Sequence, residues 1–234
     1  MNYFRSTLWV FISALTLPTC LIVKEIEHEK VTHHPYVAKR FNLDALTFLS
    51  KKQREEHYTL YTKYVTKLNE IRTQLPHAQR SPGGTYSEFR ALKEAETFAL
   101  NGALLHELYF ENIIGKKSSL MGARFKHLIL ENFGSIEQYK KDLKDVAACA
   151  RGWAITGYCY HDNRIYNFLL DEHNQKVPVM IVPLVVVDVY EHAYMIDYGI
   201  DRETYLKETI AHLQWDVIEK RIDALMNNPI IRCL

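Results

Sequence analysis

The clearest order in the chain is a helical spacing of apolar positions that starts after Leu49. Leu60, Tyr61, Tyr64, Val65, Leu68, Ile71 and Leu75 recur at steps of three and four, the stripe of an amphipathic helix. Ser50-Lys51-Lys52-Gln53 has the form of a capping box at its start, the serine capping the helix and the glutamine returning the bond. One turn back along the stripe lies His57, which the spacing puts on the core face. The segment from Gln74 to Thr85, with Pro76, Pro82, Gly83 and Gly84, breaks the helix into a loop. A second stripe, Phe89, Leu92, Ala99, Gly102, Ala103, His106, Tyr109, Phe110 and Ile113, predicts a helix from about Tyr86 to Ile113 and buries His106.

Further helical spacing covers Ser118–Asn132 and Ser135–Ala150, after which the pattern changes. Gly152–Tyr160 and Ile165–Leu170 are aromatic and branched runs around His161-Asp162-Asn163-Arg164, the form of a β-hairpin. Val177–Val187 is almost unbroken aliphatic sequence with two prolines, read as a buried strand that delivers Asp188 at its far end. A last helix is predicted from Arg202 to about Met226. The order implies an α+β fold: an N-terminal helical hairpin lobe over residues 43–115, and a C-terminal lobe over 116–234 with a small antiparallel sheet flanked by helices.

Composition is that of ordinary globular material, 47% hydrophobic and 24% charged. Lysine plus arginine number 29 against 28 aspartate plus glutamate, a balance that offers no basic surplus to nucleic acid. The first 23 residues differ: Arg5 precedes an apolar run from Thr7 to Leu17, closed by Pro18-Thr19-Cys20. That is the plan of a secretory signal or membrane anchor, shorter than the roughly 20 apolar residues of a confident span. Leu17-Pro18-Thr19-Cys20 is also similar to a lipoprotein cleavage box, although a residue smaller than Thr19 is usual there. An exported protein is therefore expected, in the periplasm, attached to the envelope or secreted, with any membrane attachment through the N-terminus. Residues 24–42, carrying His28, His33 and His34, read as a solvated leader. Cys149 and Cys159 read as two small buried residues, with a disulfide between them as the alternative in an oxidising compartment; Cys233 would be left over once Cys20 is removed or lipidated.

A lone histidine on an apolar stripe is more often a satisfied core residue than a ligand, but His57 and His106 lie on consecutive helices facing one core. Asp188 ends a fully apolar strand, where an uncompensated carboxylate is costly to bury and a metal or cationic partner removes the cost. His192, four residues on, offers an imidazole beside it. The run Asp188-Val189-Tyr190-Glu191-His192-Ala193-Tyr194 resembles the signature of the iron/manganese superoxide dismutases. His57-Tyr58 with Tyr64-Val65-Thr66-Lys67-Leu68-Asn69 resembles that family's first ligand helix, and Asn101-Gly102 through His106 to Tyr109-Phe110 its second. Gly152-Trp153-Ala154 is similar to its active-site tryptophan strand and Gln214-Trp215-Asp216 to its closing helix, so the likeness runs from about Leu43 to Ile222.

The resemblance implies one iron or manganese ion held by His57, His106, Asp188 and His192, with water or hydroxide as a fifth ligand and superoxide anion as substrate. Three neutral imidazoles and one carboxylate leave a trivalent ion with net positive charge, which suits an anionic substrate. Tyr64 is implied at the substrate gate, with Trp153 and Tyr190 as walls and one further side chain bonding the coordinated solvent. Gly102 has no side chain to offer, so that group must come from the other lobe, and His173 is preferred to Gln175. A histidine there leans the metal towards iron. Glu191 is implied as a bridge to His192 of the partner subunit, in a homodimer or homotetramer. Three departures stand out: His57 to Tyr64 is one residue shorter than usual, Tyr61 stands where a histidine often does, and Met195 where a tyrosine often does. Two rivals remain, a non-catalytic metal-binding or structural relative of the same fold and a different metalloenzyme with fewer protein ligands.

Overall fold

The computed structural model describes residues 34–81, 85–115 and 119–227. The signal or anchor segment, most of the leader, residues 82–84 of the predicted loop, Cys20 and Cys233 lie outside the described residues.

Two long helices, α1 (Lys51–Gln74) and α2 (Glu88–Ile113), pack against each other. Each starts on a serine: Ser50 Oγ accepts from Gln53 N at 3.1 Å and Ser87 Oγ from Arg90 N at 3.2 Å, satisfying N–H groups that a first turn leaves unpaired. The capping box at Ser50 is only half built. Ser50 N donates to Asp197 Oδ2 at 2.5 Å, and the Gln53 side chain turns into the protein instead. On α1 the buried positions are Gln53, His57, Tyr61, Val65, Leu68 and Ile71, a stripe that includes the histidine. On α2 burial begins at Ala99 and continues through Gly102, Ala103, His106, Tyr109, Phe110 and Ile113.

The remainder is α3 (Ala123–Phe133), α4 (Ile136–Cys149), β1 (Trp153–Cys159), β2 (Arg164–Leu170), β3 (Ile181–Asp188), a 3-10 turn at Glu191–Ala193, and the helices α5 (Met195–Tyr198), α6 (Arg202–Ala211) and α7 (Trp215–Met226). The strands form an antiparallel sheet in the order β2-β1-β3. Its register puts Trp153, on the central strand, opposite both Leu170 and Asp188. Pro183 can sit in β3 because that strand is an edge, where a missing N–H costs no ladder bond. The two lobes share one apolar core running from Tyr61 and Phe110 through Leu143 and Trp153 to Ile218.

Several expectations are corrected. The third strand begins at Ile181, not Val177; Val177, Val179 and Met180 are exposed, and Lys176 and Met180 have φ of 61°, a left-handed conformation that a strand cannot carry. The last helix is two, because Gln214 N leaves the helical path to donate to Asn112 O at 2.7 Å on α2. The helix expected from Ser118 starts at Ala123, where the Glu219 carboxylate accepts from the N–H groups of Arg124 and Phe125. The end of the leader is not a solvated arm. Tyr36 exchanges backbone bonds with the Asn69 amide at 2.8 and 2.9 Å, and Lys39 N donates to Tyr61 Oη at 2.7 Å. Cys149 and Cys159 are unpaired, and neither is buried; Cys149 ends α4 on its solvent side.

Candidate metal centre

Asp188, at the end of β3, is the point on which the three histidines converge. Its Oδ2 lies 3.1 Å from His57 Nε2, 3.2 Å from His192 Nε2 and 3.6 Å from His106 Nε2. One ligand atom from each of the four residues falls within 4.8 Å of the others. The side chains of His57, His106 and Asp188 are fully buried, and that of His192 is 28% exposed. Tyr190 N donates to Asp188 Oδ1 at 2.9 Å, which turns Oδ2 inward, and Tyr205 Oη donates to the Asp188 backbone carbonyl at 2.8 Å.

The protonation pattern shows what such a cluster needs. His106 Nδ1 is 2.6 Å from Gly102 O, which can only accept, so Nδ1 carries the proton and Nε2 presents a lone pair. That Nε2 is buried without a hydrogen-bond partner. Burial lowers the pKa of both His57 and His106, keeping the rings neutral. Burial works to raise Asp188, but the facing imidazoles of His192 and His57 outweigh it and hold the carboxyl well below the usual range. A lone pair of a neutral imidazole therefore faces a carboxylate oxygen in a dry interior, an arrangement that repels unless a cation lies between them. Three nitrogens and one oxygen fit a first-row redox metal.

Around the cluster lies an aromatic shell. Trp153 Nε1 donates to His173 Nδ1 at 2.9 Å, and His173 Nε2 is 2.7 Å from Tyr64 Oη. Indole can only donate, so Nδ1 of His173 is the acceptor and Nε2 carries the proton towards Tyr64. Burial lowers His173 to about 4, and burial followed by the charge of Asp188 pushes Tyr64 up to about 12. Trp153 meets His106 edge-on with ring centroids 5.0 Å apart, while Tyr190 stacks on His192 at 5.1 Å. Gly102 is glycine for a steric reason: a Cβ there would lie 2.8 Å from Tyr64 Cδ1. Gln175 is exposed on the wall of an outer cleft of about 810 Å³ that also takes in Lys63, Tyr64 and Lys67.

The structure thus gathers His57, His106, Asp188, His192, Tyr64, Trp153, His173 and Tyr190 into one site. Glu191 is exposed at the start of the 3-10 turn. Tyr61 is buried, and its hydroxyl donates to Glu107 at 2.7 Å within the same chain. Sequence reasoning missed two supports. Asn101 Nδ2 donates to the His173 carbonyl at 2.8 Å, and Gln53 reaches His192. Asn101 falls within the run from Asn101 to Phe110 that carries the resemblance, whereas Gln53 coincides with the capping-box position and gives no separate signal.

A helical hairpin and a small antiparallel sheet together present three imidazoles and one carboxylate that could hold one metal ion. Residues 121–221 match the C-terminal domain of the iron/manganese superoxide dismutases. A protein of Aquifex aeolicus named superoxide dismutase (Fe) is 37% identical over 183 residues, covering 76% of this chain and 86% of its own. One of Methanothermobacter marburgensis with the same name is 31% identical over 189 residues, 78% and 92% of the two chains. Another, of Aeropyrum pernix, named superoxide dismutase (Mn/Fe), is 26% identical over 185 residues, 77% and 84% of the two chains. The chain belongs to the iron/manganese superoxide dismutase family, whose members are oxidoreductases using one iron or manganese ion.

Proposed function

We propose that His57, His106, Asp188 and His192 hold one iron or manganese ion and that the centre converts two superoxide radicals to dioxygen and hydrogen peroxide. The observation that carries this reading is the convergence of three histidine Nε2 atoms on Asp188 Oδ2, with one of them buried and unpartnered. An ion held by these four residues would supply the one-electron chemistry by which one superoxide is oxidised to dioxygen and a second, gaining two protons, is reduced to peroxide. The side chains do the rest. Tyr64 keeps its proton at neutral pH and, accepting from His173, can direct its own O–H into the site as a proton donor. His173, held in one tautomer by Trp153, stays neutral and acts as a donor. Trp153 and Tyr190 wall the ligands from water. The rival reading, a non-catalytic relative, has no support in a chain that keeps all four ligands.

Iron is the favoured metal, supported by the histidine at the gate and by the names of the Aquifex and Methanothermobacter relatives. A homodimer, or a homotetramer built from it, is favoured by the exposed apolar residues Met195, Ile196 and Ile200 close to the partly open ligand His192. Glu191 in that arrangement would bond His192 of the partner subunit. Export through the N-terminal segment would put the enzyme where only external superoxide reaches it, since the anion crosses membranes poorly. Reconstitution of metal-free protein separately with iron and with manganese tests the metal: activity with manganese alone overturns the preference for iron. His106→Ala tests the site, with loss of metal and of dismutation expected together; full activity in that variant refutes the proposed ligands.

A further inference from the structure

The four ligands are not held equally well. His57 and His106 ride on long helices and Asp188 ends a strand, but His192 sits on a 3-10 turn of three residues and is the one ligand with an exposed face. A side chain reaches this turn from the opposite lobe. Gln53, one helical turn before His57 on α1, is fully buried. Its Nε2 donates to the His192 backbone carbonyl at 2.6 Å, and its Oε1 accepts from Ile196 N at 3.1 Å. The amide orientation is unambiguous, because a backbone carbonyl can only accept and a backbone N–H can only donate. Two neighbouring bonds run between the same segments: Ser50 N to Asp197 Oδ2, and Tyr198 Oη to Phe48 O at 2.8 Å. The first frees Gln53 from its capping task.

We propose that Gln53 is a positioning residue that sets His192 against the other three ligands, so that α1 supplies one ligand directly and fixes a second through a buried amide. The proposal rests on the reading of His57, His106, Asp188 and His192 as the metal ligands. With the amide gone, the His192 carbonyl and the Ile196 N–H lose their partners in a part-buried setting, and the turn relaxes towards its open side. Groups that orient ligands from behind typically contribute 10- to 100-fold to metal affinity.

The test is release of manganese(II) from reconstituted protein into excess chelator, followed alongside the melting temperature of the metal-free form. Gln53→Met and Gln53→Leu each remove both bonds, the first with little change of volume. Ser50→Ala serves as the control, since it weakens the start of the same helix without touching the His192 turn. Release about 10- to 100-fold faster is expected in both Gln53 variants, with Ser50→Ala within about twofold of the wild type. Wild-type release from either Gln53 variant, or equally fast release from Ser50→Ala, overturns the proposal. A wild-type protein that retains no manganese or iron defeats the ligand reading itself and the proposal with it.

Discussion

Trp153 Nε1 and His173 Nδ1 are joined by a hydrogen bond of 2.9 Å in the fully buried wall of the centre, and that bond decides which nitrogen of His173 carries a proton. Trp153→Phe keeps most of the packing but removes the donor, leaving His173 free to adopt the other tautomer and to accept from Tyr64 rather than donate to it. The variant should bind metal at the wild-type ratio and lose about tenfold or more in dismutation rate. Metal content and turnover measured on one sample check this; unchanged turnover would remove Trp153 from the proton-directing role.

Gly102 and Tyr64 form a steric pair. Because a methyl group at position 102 would meet the Tyr64 ring at 2.8 Å, Gly102→Ala must shift that ring and disturb its contact with His173. The expected cost is about 1–3 kcal/mol of stability, as for other overpacked sites, together with a fall in activity larger than any fall in metal content. Denaturant unfolding and assay of the metal-loaded variant provide the measurement.

His173 also predicts a pH dependence. In the fold it is held neutral down to about pH 4 by burial, whereas in the unfolded chain it titrates near 6.5. Between those values the unfolded chain binds the extra proton, so the stability this residue contributes is complete above about pH 6.5 and is lost as pH falls towards 4, by roughly 3 kcal/mol. The comparison that isolates it is metal-free wild type against His173→Gln: the wild-type curve should fall more steeply through this window, and parallel curves would count against a neutral buried imidazole.

Much of this was legible in the sequence because the ligands lie on elements with strong periodicity. His57 and His106 fall on apolar stripes that the 3.6-residue repeat reveals, and Asp188 closes a run too apolar to be anything but a buried strand. His192 and the shell residues were legible through resemblance, not periodicity. The misses have two causes. Val177 and Met180 look like strand residues by composition, but a left-handed turn at Met180 postpones the strand to Ile181. The break between α6 and α7, the Gln53 link and the docking of Tyr36 and Lys39 are long-range bonds, set by what the chain meets after folding and leaving no local pattern.

That docking carries its own prediction. Buried Glu107, next to His106 in sequence, accepts from Tyr61 Oη at 2.7 Å and Tyr36 Oη at 2.8 Å, with Lys39 Nζ at 3.4 Å. Tyr61→Phe leaves both the carboxylate and Lys39 N short of a partner and should cost about 1–3 kcal/mol. Tyr36→Phe should cost less, since Tyr36 is only half-buried. Equal, negligible costs would mean that solvent replaces the tyrosines and that residues 34–42 are only loosely held.

The most direct test of the central claim is the oxidation state of the bound ion while superoxide is delivered in pulses to protein carrying one iron or manganese per subunit. The ion should alternate between its divalent and trivalent states, with dioxygen and peroxide formed in equal amounts at a rate proportional to metal content. A tightly held ion that never changes state, or undiminished turnover in protein stripped of metal, would contradict the account.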